Sequence, residues 1–269
     1  MSSIDTAPSE RRLAASNYLA GGGWAARVIA DGAVAAALLA WWLASRTLPD
    51  FVLPGPLKVG ADLLTLFTSP ALLAHTGAST ARVVLSVAIA LALGGGLAWL
   101  ARAVPVTEGI VQERVLVFLN SFPSLGWAIL AVIWFQVSTF SVVFVQVAIL
   151  IPFCLVNLGE GLAQIDEEIV EMGRSFTRSR WRLLTRIVLP LLTPYLVAAL
   201  RISYGIGWKI ALISELFGAD TGLGYLMIQA ETVSNATRVF ATCFAIVVLF
   251  TLGEKLVIDP LARRFARPS

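Results

Sequence analysis

One histidine, His75, and two cysteines, Cys154 and Cys243, are all that this 269-residue chain offers toward a metal centre or a thiol chemistry. A lone His has no spacing partner, and two distant thiols in apolar surroundings are read as packing groups, so no metal, disulfide or cofactor is expected. The chain also lacks a glycine-rich phosphate loop ending in Lys-Ser or Lys-Thr, and a nucleophilic Ser flanked by glycines. Catalytic residues are therefore read as none, and any nucleotide hydrolysis belongs to another chain. Charge is scarce: Asp, Glu, Lys and Arg make up 14 % of the residues, and the net charge is +3. Rows of basic and aromatic residues able to follow a phosphate backbone are missing, which excludes nucleic acid as a partner.

What is there is apolar. Hydrophobic residues make up 58 % of the chain and the mean hydropathy is +0.82, more than one soluble core of this size can bury. Runs of about 20 apolar residues can each cross a bilayer as a helix. Six are read, at about 28–45, 80–101, 117–136, 139–158, 191–214 and 238–258, the third and fourth joined by a short turn around Ser138. The expected fold is all-α, a polytopic membrane protein of about six transmembrane helices. The stretch from Met1 to Gly23 is polar and lacks the short apolar core and cleavage site of a removable signal peptide, so the first span is expected to be retained. With both termini in the cytoplasm, fourteen of the twenty basic residues fall on that side; Arg46, Lys58, Arg82 and Arg238 fall outside, and Arg201 and Lys209 within a span. The positive-inside bias selects this orientation.

One segment breaks the apolar pattern. Between Ile165 and Pro190 the chain is strongly charged yet flanked by membrane-length runs, so it must project into water, where a soluble partner can bind it. Ile165, Ile169, Met172 and Phe176 share one stripe of a first short helix. Asp166 is placed to cap it, acids crowd its start and bases its end, as the helix dipole favours. Ser179 can cap a second helix, which carries Arg180, Arg182 and Arg186 and ends or kinks at Pro190. The plainer reading, a solvated loop with no partner, stays open.

Ionisable and polar groups inside spans are the other candidates. Arg201, Lys209 and Glu215 lie in or at the end of the fifth span, where an apolar helix must turn them toward a bundle interior, a wet cavity or another subunit. Two cations there invite an anionic substrate, while snorkelling or simple charge neutralisation explains them equally well. Asn120, Gln146 and Asn157 are weaker candidates whose default role is an interhelical hydrogen bond. Gly94, Gly95, Gly96, Gly205 and Gly207 permit close helix approach, and Trp41, Trp42, Trp99, Trp127 and Trp134 fall near span ends.

The run Glu171-Met172-Gly173, Thr177, Ile187-Val188-Leu189-Pro190 resembles, at every spacing, the cytoplasmic "EAA" loop of permease subunits of binding-protein-dependent ABC importers. Leu53-Pro54-Gly55-Pro56-Leu57, Asn120-Ser121-Phe122-Pro123, Trp134-Phe135, Glu215-Leu216-Phe217-Gly218 and Gly222-Leu223-Gly224-Tyr225-Leu226 are similar to the nitrate, sulfonate and taurine branch. The chain departs from the family in three places. Met172 and Gly173 replace two alanines, Thr177 replaces a glycine, and Gln136 stands where Trp-Phe is usually followed by Gly. The resemblance implies a type I importer permease: a tail at 1–23, a transmembrane domain at 24–262 with a coupling loop at 164–190, and a tail at 263–269. Its implied coupling residues are Glu167, Glu168, Glu171, Met172, Gly173, Arg174, Phe176 and Thr177; the translocation path read from the polar groups within spans is Asn120, Gln146, Arg201, Lys209 and Glu215. Implied partners are ABC ATPase subunits, a periplasmic or lipid-anchored solute-binding protein, a second permease subunit in a homodimer, and the lipid of a bacterial inner membrane. The substrate expected is a small solute such as nitrate, a sulfonate, taurine or an aromatic acid; a stand-alone carrier or channel is the alternative.

Overall fold

The structure, a computed structural model, describes residues 23–177 and 179–265; of the expected tails at 1–23 and 263–269, residues 1–22 and 266–269 lie outside what is described, as do Arg178 and the side chains of Trp24, Ala25, Glu167, Arg180 and Phe265. Ten helices follow one another in the described residues. They are α1 (Gly23–Thr47), α2 (Pro56–Thr68), α3 (Pro70–Ala103), α4 (Pro105–Ser121), α5 (Ser124–Phe135), α6 (Thr139–Ala163), α7 (Glu167–Phe176), α8 (Trp181–Gly218), α9 (Leu223–Thr232) and α10 (Ala236–Arg264). Five are long and apolar enough to cross a membrane, and the pair α4 and α5 makes a sixth if counted as one broken span.

That pair corrects the third expected span. The run at 117–136 is not one straight helix, because α4 and α5 meet at a bend of 86°. Pro123 has no N–H to give and pushes the residue before it out of the helical region, and Phe122 is accordingly extended at φ −79°, ψ 126°. A second correction concerns length: α8 runs 38 residues where the hydropathy window suggested 24, because its basic first turns continue the same helix. Pro190 and Pro194 sit within it, and a π turn at Leu184–Val188 precedes them.

The packed centre is made by α3, α6 and α8. Arg82 reaches Thr139 near one end, Gly207 packs against Val83, Val87 and Leu150 in the middle, and Gly94 lies against Cys154 and Leu155 further along. With Glu215 of α8 at Arg82 and Ser203 at Cys154, these contacts make α3 and α6 parallel and α8 antiparallel to both. Lipid is as apolar as Leu, so close packing and interhelical polar contacts hold such a bundle. Small residues provide the first: Ala90, Ala199, Ala211, Ala241, Ala245 and Gly94 are all buried. Trp127, expected near an interface, is instead buried among Phe118, Phe122 and Phe144. α10 closes one side through Tyr204, whose hydroxyl donates to the Leu249 carbonyl, and through the two-point pair of Arg238 with Asp62 of α2 at 2.6 and 2.7 Å.

The turn between α5 and α6 carries the replaced glycine. Gln136 adopts φ 62°, ψ −176°, a conformation that L side chains rarely take, and its carbonyl accepts from the Ser141 hydroxyl. Such strain costs about 1–3 kcal/mol at a non-Gly residue. Gln136→Gly is therefore expected to stabilise the purified protein by about 1 kcal/mol, seen as a higher unfolding midpoint in detergent. A lower midpoint would show that the glutamine's own contacts outweigh the strain.

Candidate functional site: a buried charge cluster and an exposed lever

Two sites stand at opposite ends of the bundle. At the α9 end, α3 carries His75, Ser79, Arg82 and Ser86 at offsets of four, seven and eleven, one stripe of an otherwise apolar helix. Three of these side chains, together with Glu215 of α8, bind the turn that leads into α9. Arg82 and Glu215 pair at 3.0 Å with side-chain exposures of 4 % and 1 %. Arg82 donates three further hydrogen bonds, to the Thr221 carbonyl (2.6 Å), the Thr221 hydroxyl (2.7 Å) and Thr139 (2.9 Å). Ser79 donates to the Glu215 carboxylate at 2.7 Å and accepts from the Leu223 N–H at 2.8 Å. The Gly224 N–H donates to Glu215 at 3.0 Å, and the Gly222 N–H to Nδ1 of His75 at 3.1 Å. His75 also stacks on Tyr225, ring centres 6.0 Å apart.

Three consecutive backbone amides are thus each held by a different side chain, which explains the Gly-Leu-Gly run. Gly222 sits at φ 116°, where an added Cβ would fall on the Glu215 carboxylate. At Gly224 a Cβ would lie 2.7 Å from both Cβ of Glu215 and the Leu212 carbonyl. Both positions require the absence of a side chain.

The expected path residues do not converge. Glu215 faces inward to Arg82, which the charge count sets on the outer side of the membrane and which the structure buries. Arg201 is 47 % exposed and pairs with Asp259 and, at 3.6 Å, with Glu254 of α10. The two lie about 40° apart around α8, but only the Glu215 end of that face is covered by α3 and α9. Lys209 is exposed and has no ion pair among the described residues. Gln146 is wholly buried with neither amide atom bonded, Asn120 is exposed, and Asn157 bonds back to the Phe153 carbonyl.

At the other end α7 spans the expected residues, with the Asp166 carboxylate accepting from the Glu168 N–H at 2.9 Å and Ser179 capping the next helix at 3.4 Å. Ile169, Met172 and Phe176 are exposed, Phe176 to 84 %, and Trp181 beside them to 72 %. Glu168, Glu171 and Arg174 are exposed as well. Next to this stripe, α7 is pressed onto α8 at Gly173, where a Cβ would run into Ile187 and Leu183. Thr177, in the place of the family glycine, is extended at φ −152°, ψ 131°, a conformation any residue adopts, so the turn out of α7 needs no glycine.

A helical membrane bundle that presents an amphipathic helix at one end defines the class of transporter permeases. Residues 109–267 match the family described as "binding-protein-dependent transport system inner membrane component", and the chain belongs to that family, the permease subunits of ABC importers. Its relatives include the taurine transport permease TauC of Escherichia coli, 27 % identical over 87 % of this chain and 86 % of that protein. Another is the nitrate import permease NrtB of Synechococcus elongatus, 27 % identical over 72 % of each. The fold is shared with an inward-facing structure of the MetNI methionine ABC transporter at a TM-score of 0.62 and 18 % identity, covering 73 % of this chain and 97 % of that one.

The residues missed in the sequence are those of α3. Their signal was present, four polar residues at helical spacing in an apolar run, but a stripe does not say which helix it will face. Removing one partner of a buried pair costs about 3–5 kcal/mol, because the other is left charged and alone. Arg82→Met and Glu215→Leu are each expected to lower stability by that amount, and the double variant to lose clearly less than the sum. Thermal unfolding of the four proteins measures the coupling; additive losses would show that the two charges do not depend on each other.

Proposed function

We propose that this permease couples to a separate ATPase through α7, in a homodimer with both termini cytoplasmic, and passes a small anionic solute along a path that includes Lys209. The observation that carries the coupling is the exposed stripe of Ile169, Met172 and Phe176, on a helix that also exposes Glu171 and is fixed to α8 at Gly173. Such a helix fits a groove on a soluble partner, with apolar anchors at helical spacing and Glu171 as the contact for a basic residue. Fixed on one side, it acts as a lever that passes a push from the ATPase to α8. Glu167, Glu168, Arg174 and Thr177 frame that contact. On this reading the transmembrane domain runs over 24–262 and the coupling loop over 164–190.

Lys209 supports the path. An unpaired cation in an apolar span is costly against lipid and belongs in a wet cavity or against a partner subunit. Two copies of the chain would supply two such cations, which suits nitrate and the sulfonate group of taurine, the solutes named for two of the relatives. A solute-binding protein would deliver them to the α9 end. Gln146 and Glu215, buried within one protomer, join the path only if the bundle opens, and Arg201 is engaged by α10.

The test of coupling is co-purification of the ATPase encoded with this chain, alongside uptake in cells. Glu171→Arg and Phe176→Asp are expected to reduce both at least about tenfold, and Glu171→Asp to be mild. Full recovery of the ATPase with either disruptive variant would remove α7 from the contact. Lys209→Gln is expected to lower uptake while complex yield holds. Unchanged uptake would take Lys209 out of the path.

A further inference from the structure

The short helix α2 is apolar on two sides. Val59 and Leu66 form one buried stripe, and Asp62 beside them holds Arg238 in the first turn of α10. Directly opposite, Leu57, Ala61 and Leu64 recur at offsets of four and seven and are bare, Leu57 to 81 % and Leu64 to 66 %. The loop that leads into the helix adds Phe51 and Val52, both exposed. Facing away from the stripe that packs, these side chains are left uncovered by the described residues.

The anchors of α2 put this surface at the membrane boundary. With 13 residues, about 20 Å, the helix is too short to cross a hydrocarbon core of about 30 Å. Its start lies at the end of α1, where a Cβ on Gly55 would come 3.5 Å from the Ser45 hydroxyl and Trp41 donates to the Pro54 carbonyl. Asp62, two turns on, meets the first turn of α10, so these turns of α2 follow the rim of the bundle. Side chains typical of a bilayer interface gather at the same rim. Arg46 lies over the Trp42 ring at 4.2 Å and has no ion pair among the described residues, and Lys58 pairs with Asp50 in the open. Lys58 and Thr65 lie about 80–100° round α2 from Leu57, a polar flank beside the apolar stripe. In the loop, Pro49, Pro54 and Pro56 carry no N–H, and the Val52 and Leu53 amides both donate to the Pro49 carbonyl, which leaves few backbone donors in need of water.

We infer that α2 is an interfacial helix: Phe51, Val52, Leu57, Ala61 and Leu64 sit among the acyl chains of the outer phospholipid leaflet, and Arg46 meets the lipid phosphates. That the leaflet is the outer one rests on the cytoplasmic termini proposed above. Lipid suits this surface because the stripe is continuous with residues that lipid covers anyway, Leu43 of α1 and Leu73 of α3, both exposed within helices long enough to cross the membrane. A helix of this kind buries its apolar side about 5–10 Å into the boundary of headgroups and acyl chains while its polar flank stays wet. Through the two-point pair of Asp62 with Arg238, a helix seated in the leaflet also sets the depth at which α10 begins.

The experiment uses the full-length chain with Cys154 and Cys243 replaced by Ala, purified with its ATPase and reconstituted in phospholipid vesicles. Leu57→Cys, Leu64→Cys and Thr65→Cys, each alone, carry a nitroxide label, and the accessibility of each label is measured to oxygen, which partitions into acyl chains, and to a water-soluble nickel chelate. Oxygen is expected to exceed the chelate at least roughly threefold at Leu57 and Leu64, with the order reversed at Thr65 on the polar flank. Dominance of the chelate at Leu57 and Leu64 would put the stripe in water and overturn the inference. Low accessibility to both reagents would mean a protein cover, a second copy or another subunit, and overturns it equally. The side of the membrane is read separately, from labelling of Thr65→Cys in intact cells by an impermeant maleimide. Labelling only in broken cells, with Leu57 still open to oxygen, would overturn the proposed orientation and move the lipid contact to the inner leaflet.

Discussion

The buried pair of Arg82 and Glu215 is the constraint on which the α9 end of this protein depends. Burying two charges is costly, and the cost is met only where the remaining hydrogen-bonding groups are also paired. Here they are: Arg82 reaches Thr139 of α6 and both the carbonyl and hydroxyl of Thr221, while Glu215 accepts from Ser79 and the Gly224 N–H. One ion pair therefore fixes the register of α3, α6 and α8 and the path of the chain into α9. In a bundle whose helices gain little from apolar burial against one another, such a network sets a unique arrangement that packing of Ala, Val and Gly alone leaves loose.

The α7 end is built on the opposite principle. Its helix is amphipathic, tied by one close approach at Gly173, with its apolar stripe facing away from the bundle. The long α8 joins the two ends, running from the basic turns beside α7 to Glu215 in the charge cluster. A displacement at α7 would thus reach the keystone pair along one continuous helix, with Pro190, Pro194 and the π turn as places where that helix can bend.

The comparison of sequence with structure turns on particular residues. Asp166 and Ser179 were legible as caps because capping is local, decided within a few residues. The bend at Phe122 and Pro123 was written in the proline but hidden by the apolar run around it, since hydropathy does not register a missing N–H. Gln136 was legible as a departure from a familiar glycine, and its positive φ shows why glycine suits that turn. The burial of Arg82 was not legible, because charge counting sorts basic residues by side of the membrane and says nothing of what covers them.

By itself the sequence determined the class: apolar runs of this length are membrane helices, and a charged segment between two of them belongs in water. Those conclusions follow from composition and local periodicity, which need no knowledge of neighbours. The tertiary structure alone decided that Glu215 meets Arg82, 133 positions away, while Lys209 in the same helix has no ion pair among the described residues. Both lie in one apolar helix, and the energy that separates their roles comes from α3 and α9 covering one face of α8 and leaving the other bare.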